Sequence, residues 1–144
     1  MRFTRRSLVA SEETVETLKR LRSAGYRIGL IGDCARETPR EWPSTDLAPL
    51  VDAAIFSCEV GMKKPDPHIY RLASQMLSVG PASCVFVGDG SSRELSGALA
   101  AGMRSVLVRI PLGDTYDAQR ADVDGWKGAS IETLRDVPSL LGLK

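Results

Sequence analysis

Two periodicities alternate along the chain and predict helices and short buried strands in turn. Val15, Leu18 and Leu21 recur at helical spacing after Ser11, a residue type that caps helices, and Gly25 follows them as a stop signal. Short unbroken apolar runs then predict four strands, at residues 27–31, 51–56, 84–87 and 105–110. The first run leads into a proline-rich segment, residues 35–49, which predicts an irregular connection with short helical pieces.

Three more helices are predicted downstream of the second strand. Their predicted apolar faces are, in order, Ile69, Leu72, Ala73, Met76 and Leu77; Leu95, Ala98 and Leu99, closed by Gly102; and Ile131, Leu134, Val137, Leu140 and Leu141, with Pro138 as a break. Strands that alternate with helices predict an α/β fold, a three-layer Rossmann-like parallel sheet flanked by helices, with residues 1–144 as one domain. Reactive groups in such a sheet lie at the carboxyl ends of the strands. Gly32-Asp33 and Gly88-Asp89 occupy those positions.

Charge and hydropathy narrow the classes of partner. The formal net charge is +1, which predicts neither a nucleic-acid nor a membrane-surface partner. The basic start, residues 1–6, is followed by too short an apolar stretch for a signal peptide, and no apolar run is long enough to cross a bilayer. A cytoplasmic location is therefore expected.

Cysteine and histidine usage argues against several kinds of site. The three cysteines, Cys34, Cys58 and Cys84, are widely spaced and fit neither a disulfide framework nor a zinc site with paired ligands. Cys58 and Cys84 lie in or beside apolar runs, and we expect both to be small buried hydrophobes. His68 is the only histidine, and no nucleophile elbow accompanies it.

The strongest chemical signal follows the third predicted strand. Residues 85–94 read Val-Phe-Val-Gly-Asp-Gly-Ser-Ser-Arg-Glu, which places Asp89 at an exposed tip between two glycines. A carboxylate there suits Mg²⁺, which binds one or two carboxylates together with water and phosphate oxygens. Glu94 is then an outer acceptor for the site, or an acid that favours the start of a helix. The alternative for Asp89 is a purely structural turn residue.

Two weaker signals carry the features of a phosphate site. Lys64, held by the following Pro65, is a point charge suited to a phosphate oxygen, and its alternative is a solvated basic turn. Gly32 and Asp33 offer backbone N–H groups beyond a strand, where an anion can bind, and their alternative is an ordinary turn.

Together, the order and spacing of these motifs resemble the haloacid dehalogenase superfamily of Mg²⁺-dependent aspartate phosphohydrolases. The resemblance runs from about Thr14 onward and includes the segments 25–31, 61–67, 87–89 with Glu94, 97–98, 101–103 and 126–128. It implies that Lys64 stabilises phosphate, that Asp89 binds Mg²⁺, that Glu94 is the second acid of that motif, and that Gly32 and Asp33 border the phosphate. It also implies a small phosphorylated substrate.

The sequence departs from the family pattern at two places. Gly32 replaces a phosphate-binding Ser or Thr, with Asp33 where Asn is common. The family's first strand, which ends in an Asp-x-Asp motif with the nucleophile, has no counterpart before Asp33, and neither has the cap domain. We therefore expect an inactive or truncated phosphatase core. The alternative is a non-catalytic module that binds Mg²⁺, an anion or another protein.

In the family that first strand lies between the strands that end here at Gly32 and Gly88. Its absence would leave two rows of backbone groups unpaired in the interior. Four solutions are open. Residues 3–9 substitute for the strand, the flanking strands pair directly, a partner chain donates a strand (as in a homodimer formed by strand exchange), or the chain is a truncated form of a longer protein.

Overall fold

The computed structural model describes residues 12–32, 37–109, 122–123 and 125–143. Its α-helices are α1 Glu12–Ser23, α2 Glu37–Glu41, α3 Ser57–Val60, α4 Pro67–Met76, α5 Glu94–Ala100 and α6 Val137–Leu140. Its strands are β1 Gly29–Gly32, β2 Ala53–Phe56, β3 Val85–Gly88, β4 Arg104–Val108 and β5 Ser130–Ile131. The helix–strand alternation agrees with the α/β prediction. The proline-rich connection contains α2 and two short 3₁₀ turns, Trp42–Ser44 and Ala48–Leu50.

The end of α1 shows why the first predicted helix forms where it does. Leu21 is buried on the inner face of the helix. Gly25 follows with φ of +93°, a conformation that glycine adopts without steric cost, and the Tyr26 N–H then bonds to the Leu21 carbonyl at 3.1 Å. Ser11, the expected cap, lies outside the described residues.

The described strands form two parallel sheets. β1 pairs with β2 in register from Gly29 opposite Ala53 to Gly32 opposite Phe56. The second sheet has the order β3-β4-β5 and is also parallel throughout. Within the residues that the structure describes, no ladder joins β1 to β3. Direct pairing of these flanking strands, one of the four alternatives, is therefore wrong for the described residues.

Helices cover both faces of the strands. α4 and α5 pack together on one face, where α4 contacts β1 and β2 and α5 contacts β3 and β4. α1 and α6 pack together on the other face, and an Arg135–Glu13 ion pair of 3.0 Å at the surface joins α1 to the 3₁₀ turn that precedes α6. The result is the three-layer arrangement that the alternation predicts.

Two predicted helical faces were partly wrong. Met76 and Leu99, expected inside, are 53% and 52% exposed. The buried face of α4 consists of Ile69, Tyr70, Ala73 and Ser74, and that of α5 of Glu94, Leu95, Gly97 and Ala98. Both faces include small or polar residues, which a prediction from the hydrophobic pattern alone does not assign to the core.

The predicted last helix is shorter than expected. Ile131 belongs to strand β5 and not to a helix, because it pairs with Val108 in a parallel ladder with β4. A Thr133 capping box begins the 3₁₀ turn Leu134–Asp136 that precedes α6. Pro138 lies in the first turn of α6, where its missing N–H costs nothing, so it starts the helix and does not break it.

The cysteines differ from one another in exposure. Cys58 is exposed, so the expectation that it is buried was wrong; it lies on α3, a short helix at the surface. Cys84 is half-buried, and burial raises the pKa of its thiol. Among the described residues, none of the helices is both long and apolar enough to cross a membrane.

Candidate active site

The loop after β3 turns sharply and exposes one carboxylate. Gly90 has φ of +88°, and Ser92 and Arg93 each have φ of +55°, which is uncommon for residues with a side chain. Asp89 Oδ1 accepts a hydrogen bond from the Ser91 N–H at 2.9 Å. This bond fixes the half-buried Asp89 side chain at the carboxyl end of the strand.

A buried ion pair lies beside this loop. The Lys64 Nζ donates to Glu94 Oε1 at 2.7 Å, and the two side chains are only 3% and 0% exposed. Lys64 comes from the turn before α4, whereas Glu94 begins α5, so the pair joins two segments that are 30 residues apart. A buried pair of this kind is stable only while both members are present.

Glu94 also holds the loop. Its Oε2 accepts the Gly90 N–H at 3.1 Å, so the one carboxylate engages both the lysine and the glycine loop. Burial by itself would raise the pKa of Glu94. Positive charge and donated hydrogen bonds, those of Lys64 among them, outweigh burial and lower that pKa to about 2. Glu94 is therefore a carboxylate at neutral pH.

Two aromatic rings complete the surroundings of the pair. The Lys64 Nζ lies 5.9 Å from the centroid of the Phe86 ring, within the range of a cation–π contact. Tyr70 meets Phe86 edge to face at 5.3 Å, and its hydroxyl donates to the Glu94 carbonyl at 2.8 Å. The side chain and the backbone of Glu94 are thus both held in place.

Two glycines allow this close packing. A Cβ on Gly97 would lie 2.7 Å from the Pro65 carbonyl oxygen and 2.8 Å from the Tyr70 hydroxyl. A Cβ on Gly88 would collide with the Glu94 carboxylate. The turn that carries Lys64 can therefore lie against α5 only because Gly97 has no side chain, and the Glu94 carboxylate can lie against β3 only because Gly88 has none.

Of the predicted site residues, the structure brings Lys64, Asp89 and Glu94 to one place. Gly32 is buried at the end of β1, in the other sheet, and Asp33 lies outside the described residues. Sequence reasoning missed Phe86, Tyr70 and Gly97. The available signal was Gly97 itself, a glycine in the middle of a predicted helix, which often marks a close contact.

The donor set at the loop fits a hard cation with few protein ligands. No group of three or more His, Cys, Asp or Glu side chains that could hold a metal occurs among the described residues. Mg²⁺ does not need such a group, because it keeps several waters and binds one or two carboxylates together with phosphate oxygens. Asp89, half-buried at the tip of the loop, is a carboxylate of that kind, whereas both oxygens of Glu94 already accept hydrogen bonds.

Residues 4–102 match the family model of the haloacid dehalogenase-like hydrolases, a range that contains Lys64, Asp89 and Glu94. The chain belongs to this family. The match covers well over half of the 144 residues, and the fold and family expected from the sequence are confirmed.

Relatives and solved structures agree with this assignment. The chain is 30% identical over 88% of its length to a glyceraldehyde 3-phosphate phosphatase from Methanothermobacter thermautotrophicus, covering 55% of that protein. It is 34% identical over 95% of its length to the pyrophosphatase PpaX from Bacillus velezensis, covering 62%. A HAD phosphatase from Thermococcus onnurineus superposes with a TM-score of 0.74 at 29% identity, covering 92% of this chain and 58% of that one. The chain thus spans little more than half the length of these relatives.

Proposed function

We propose that this chain is the lysine- and cation-binding part of a Mg²⁺-dependent phosphatase that acts on a small phosphorylated metabolite. The observation that carries the proposal is the buried Lys64–Glu94 pair beside the loop that exposes Asp89. The named activities of its relatives, a phosphatase and a pyrophosphatase, both break bonds to phosphorus, which supports the same reaction class.

Each member of the site has a distinct part in this proposal. Asp89 would hold the cation, which would offset negative charge on the phosphate oxygens. Lys64 would present its ammonium to the phosphate as a fixed point charge. Glu94 would orient Lys64 and the glycine loop without itself contacting the substrate, because its two oxygens are already engaged.

The route through an aspartyl-phosphate also requires a carboxylate nucleophile in line with phosphorus. The two described carboxylates at the site are already assigned, Asp89 to the cation and Glu94 to Lys64. We therefore expect the 144-residue chain by itself not to turn over phosphate esters.

Cation binding is the first test, because it does not depend on turnover. Titration of the chain with Mg²⁺ in a calorimeter should show one site, and Asp89→Asn should abolish it. Asp46→Asn, which removes an exposed carboxylate from a loop elsewhere in the chain, is the matched control and should bind as the unaltered chain does. Equal binding by both variants would overturn the assignment of Asp89.

Hydrolysis of p-nitrophenyl phosphate in the presence of Mg²⁺ is the second test. We expect no turnover above that of the Asp89→Asn chain. Turnover that disappears in Asp89→Asn would show that another carboxylate acts as the nucleophile. Absence of both turnover and Mg²⁺ binding would instead favour a non-catalytic module that binds an anion or another protein.

A further inference from the structure

The first turn of α5 receives its cap from a distant segment. The residue before the helix, Arg93, has no oxygen in its side chain and makes no capping hydrogen bond. The donor at the third residue of the helix is nevertheless satisfied, because Asp122 Oδ2 accepts the Ser96 N–H at 3.0 Å. Asp122 Oδ1 also accepts the Ser96 hydroxyl. A carboxylate 26 residues further along the chain thus does for α5 what a Ser or Asp directly before a helix ordinarily does.

The next residue along the chain contacts the loop that exposes Asp89. A Cβ on Gly90 would meet Val123 Cγ2 at 2.8 Å, so the Val123 side chain lies directly against this glycine. The Gly90 N–H meanwhile donates to Glu94. Gly90 is therefore held through its N–H and covered by Val123. Together, Asp122 and Val123 contact segment 90–96 at its first and at its last residue.

The residues that follow Val123 anchor it to a sheet. The Val123 carbonyl accepts the Trp126 backbone N–H at 3.3 Å, and the Trp126 indole N–H donates to the Ala129 carbonyl at 3.0 Å. Strand β5 begins at the next residue and pairs with β4. This is the sheet whose strand β3 ends just before Asp89. Residues 122–123 and the Asp89 loop are therefore supported by the same three strands.

Side chains from two other elements hold the rest of the first turn of α5. The Tyr70 hydroxyl, from α4, donates to the Glu94 carbonyl at 2.8 Å. The Ser105 hydroxyl, from β4, donates to the Leu95 carbonyl at 2.8 Å. These contacts hold carbonyl groups, which point along the helix, whereas the N–H groups of a first turn point back toward the preceding loop. Asp122 therefore fixes the side of the turn that faces this loop.

We infer that Asp122, together with Val123, is a positioning residue that holds the loop in the conformation in which Asp89 binds Mg²⁺. Both oxygens of Asp122 accept hydrogen bonds from Ser96, so it acts through the loop and does not itself bind the cation. A ligand that is held in place before binding gives a tighter site. The inference rests on the proposed function, which assigns Asp89 to the cation. Asp122 lies beyond residue 102, where the match to the family model ends.

Calorimetric titration of the full chain with Mg²⁺ tests the inference. Asp122→Ala should raise the Kd about fivefold to tenfold, the size expected if the loss of a helix cap acts on the loop. Asp136→Ala is the matched control, because Asp136 also accepts two backbone N–H groups, those of Glu132 and Thr133, at the start of a 3₁₀ turn outside the site. It should lower the Tm by a similar amount and leave the Kd for Mg²⁺ within about twofold of the unaltered chain.

Two further measurements separate positioning from the effect of charge. Without any cation, hydrogen–deuterium exchange of segment 90–96 should be faster in Asp122→Ala, while β4, paired on both sides, serves as the internal reference. Asp122→Asn keeps the size of the side chain and one oxygen acceptor but removes the charge. Its Kd should be closer to that of the unaltered chain than to that of Asp122→Ala, whereas attraction of the cation by the Asp122 charge would make the two variants equally weak.

The outcomes distinguish this inference from the proposed function. Equal Kd values for Asp122→Ala and Asp136→Ala, or an Asn variant as weak as the Ala variant, would overturn the inference alone. A failure of the unaltered chain to bind Mg²⁺ would overturn the proposed function, and the inference with it. If Asp122→Ala does not fold, Val123→Ala decides, since it removes the contact with Gly90 and leaves Asp122 in place. It should raise the Kd about threefold, and an unchanged Kd would overturn the inference.

Discussion

Replacing Lys64 by Met tests the energetics of the site. The change keeps most of the side-chain volume and removes the ammonium that lies 2.7 Å from Glu94. The Glu94 side chain is 0% exposed, so without the Lys64 charge the carboxylate would be stabilised by taking up a proton. Protonation of Glu94 at neutral pH would then lower the free energy of unfolding.

The size of the effect follows from linkage. Holding a carboxyl with an ordinary pKa of 4.5 fully neutral at pH 7 costs about 3 kcal/mol, at about 1.36 kcal/mol for each pH unit, and this is the upper limit because Lys64 is one of several groups that lower the pKa of Glu94. This agrees with the roughly 3–5 kcal/mol found when one member of a buried ion pair is removed. Against a typical domain stability of about 5–15 kcal/mol, the loss should lower the Tm by roughly 10 °C.

The pH dependence has a definite sign. In the variant the folded-state pKa of Glu94 is raised, so the folded state binds more protons than the unfolded state and gains stability as the pH falls. The deficit relative to the unaltered chain should therefore shrink from about 3 kcal/mol at pH 7 to about 1 kcal/mol at pH 5. Urea unfolding followed by far-UV circular dichroism at both pH values measures the difference.

Lys63→Met is the matched control, because Lys63 is the exposed neighbour and the change in charge and volume is the same. It should alter the free energy of unfolding by less than about 0.5 kcal/mol. Adding Glu94→Gln to Lys64→Met should recover part of the loss, since the buried carboxylate is then gone. The reasoning fails if Lys64→Met is no less stable than Lys63→Met, or if its deficit is the same at pH 5 as at pH 7.

Three further substitutions test neighbouring contacts. Asp52 accepts the Ile28 N–H at 2.7 Å, and this bond is the main reason that its pKa is lowered, so its stabilisation is present above about pH 4 and is lost below it. Asp52→Asn should cost roughly 0.5–1 kcal/mol at pH 7, and urea unfolding at pH 3 should show little difference. Gly97→Ala should cost about 1–3 kcal/mol because its Cβ meets the backbone of Pro65; a thermal melt as stable as the unaltered chain would contradict the packing. Tyr70→Phe removes a buried hydrogen-bond donor and should cost about 1–2 kcal/mol in the same melts, and an unchanged Tm would show that the hydroxyl contributes nothing.

The sequence by itself determined the order of elements and two of the chemical motifs. The apolar runs before Gly32 and Gly88 marked buried strands, because only a strand covered on both faces has so few polar residues. The turns at Gly88-Asp89-Gly90 and at Lys64-Pro65 could also be predicted from the sequence. Their glycine and proline residues restrict or release the backbone locally, so the conformation does not depend on distant contacts.

Only the tertiary structure decided how these motifs combine. Lys64 and Glu94 are 30 residues apart. The sequence pattern left each of them an ordinary alternative: a solvated basic turn for Lys64, and an acid that stabilises a helix N-terminus for Glu94. Their burial as a pair depends on α4 packing against α5, and that packing depends on Gly97 leaving room for the turn. Long-range packing of this kind has no periodic signature in the chain.

The same limit applies to the strands and the buried faces. The run at residues 27–31 predicted a strand but could not say which edge would be paired, because hydrogen-bond partners in a parallel sheet come from distant segments. Met76 and Leu99 look like core residues in the sequence and are exposed, since a helix buries the side that its neighbours cover, whatever residues lie there. Local composition therefore set the elements, whereas the site that contains Lys64, Asp89 and Glu94 follows from how those elements pack.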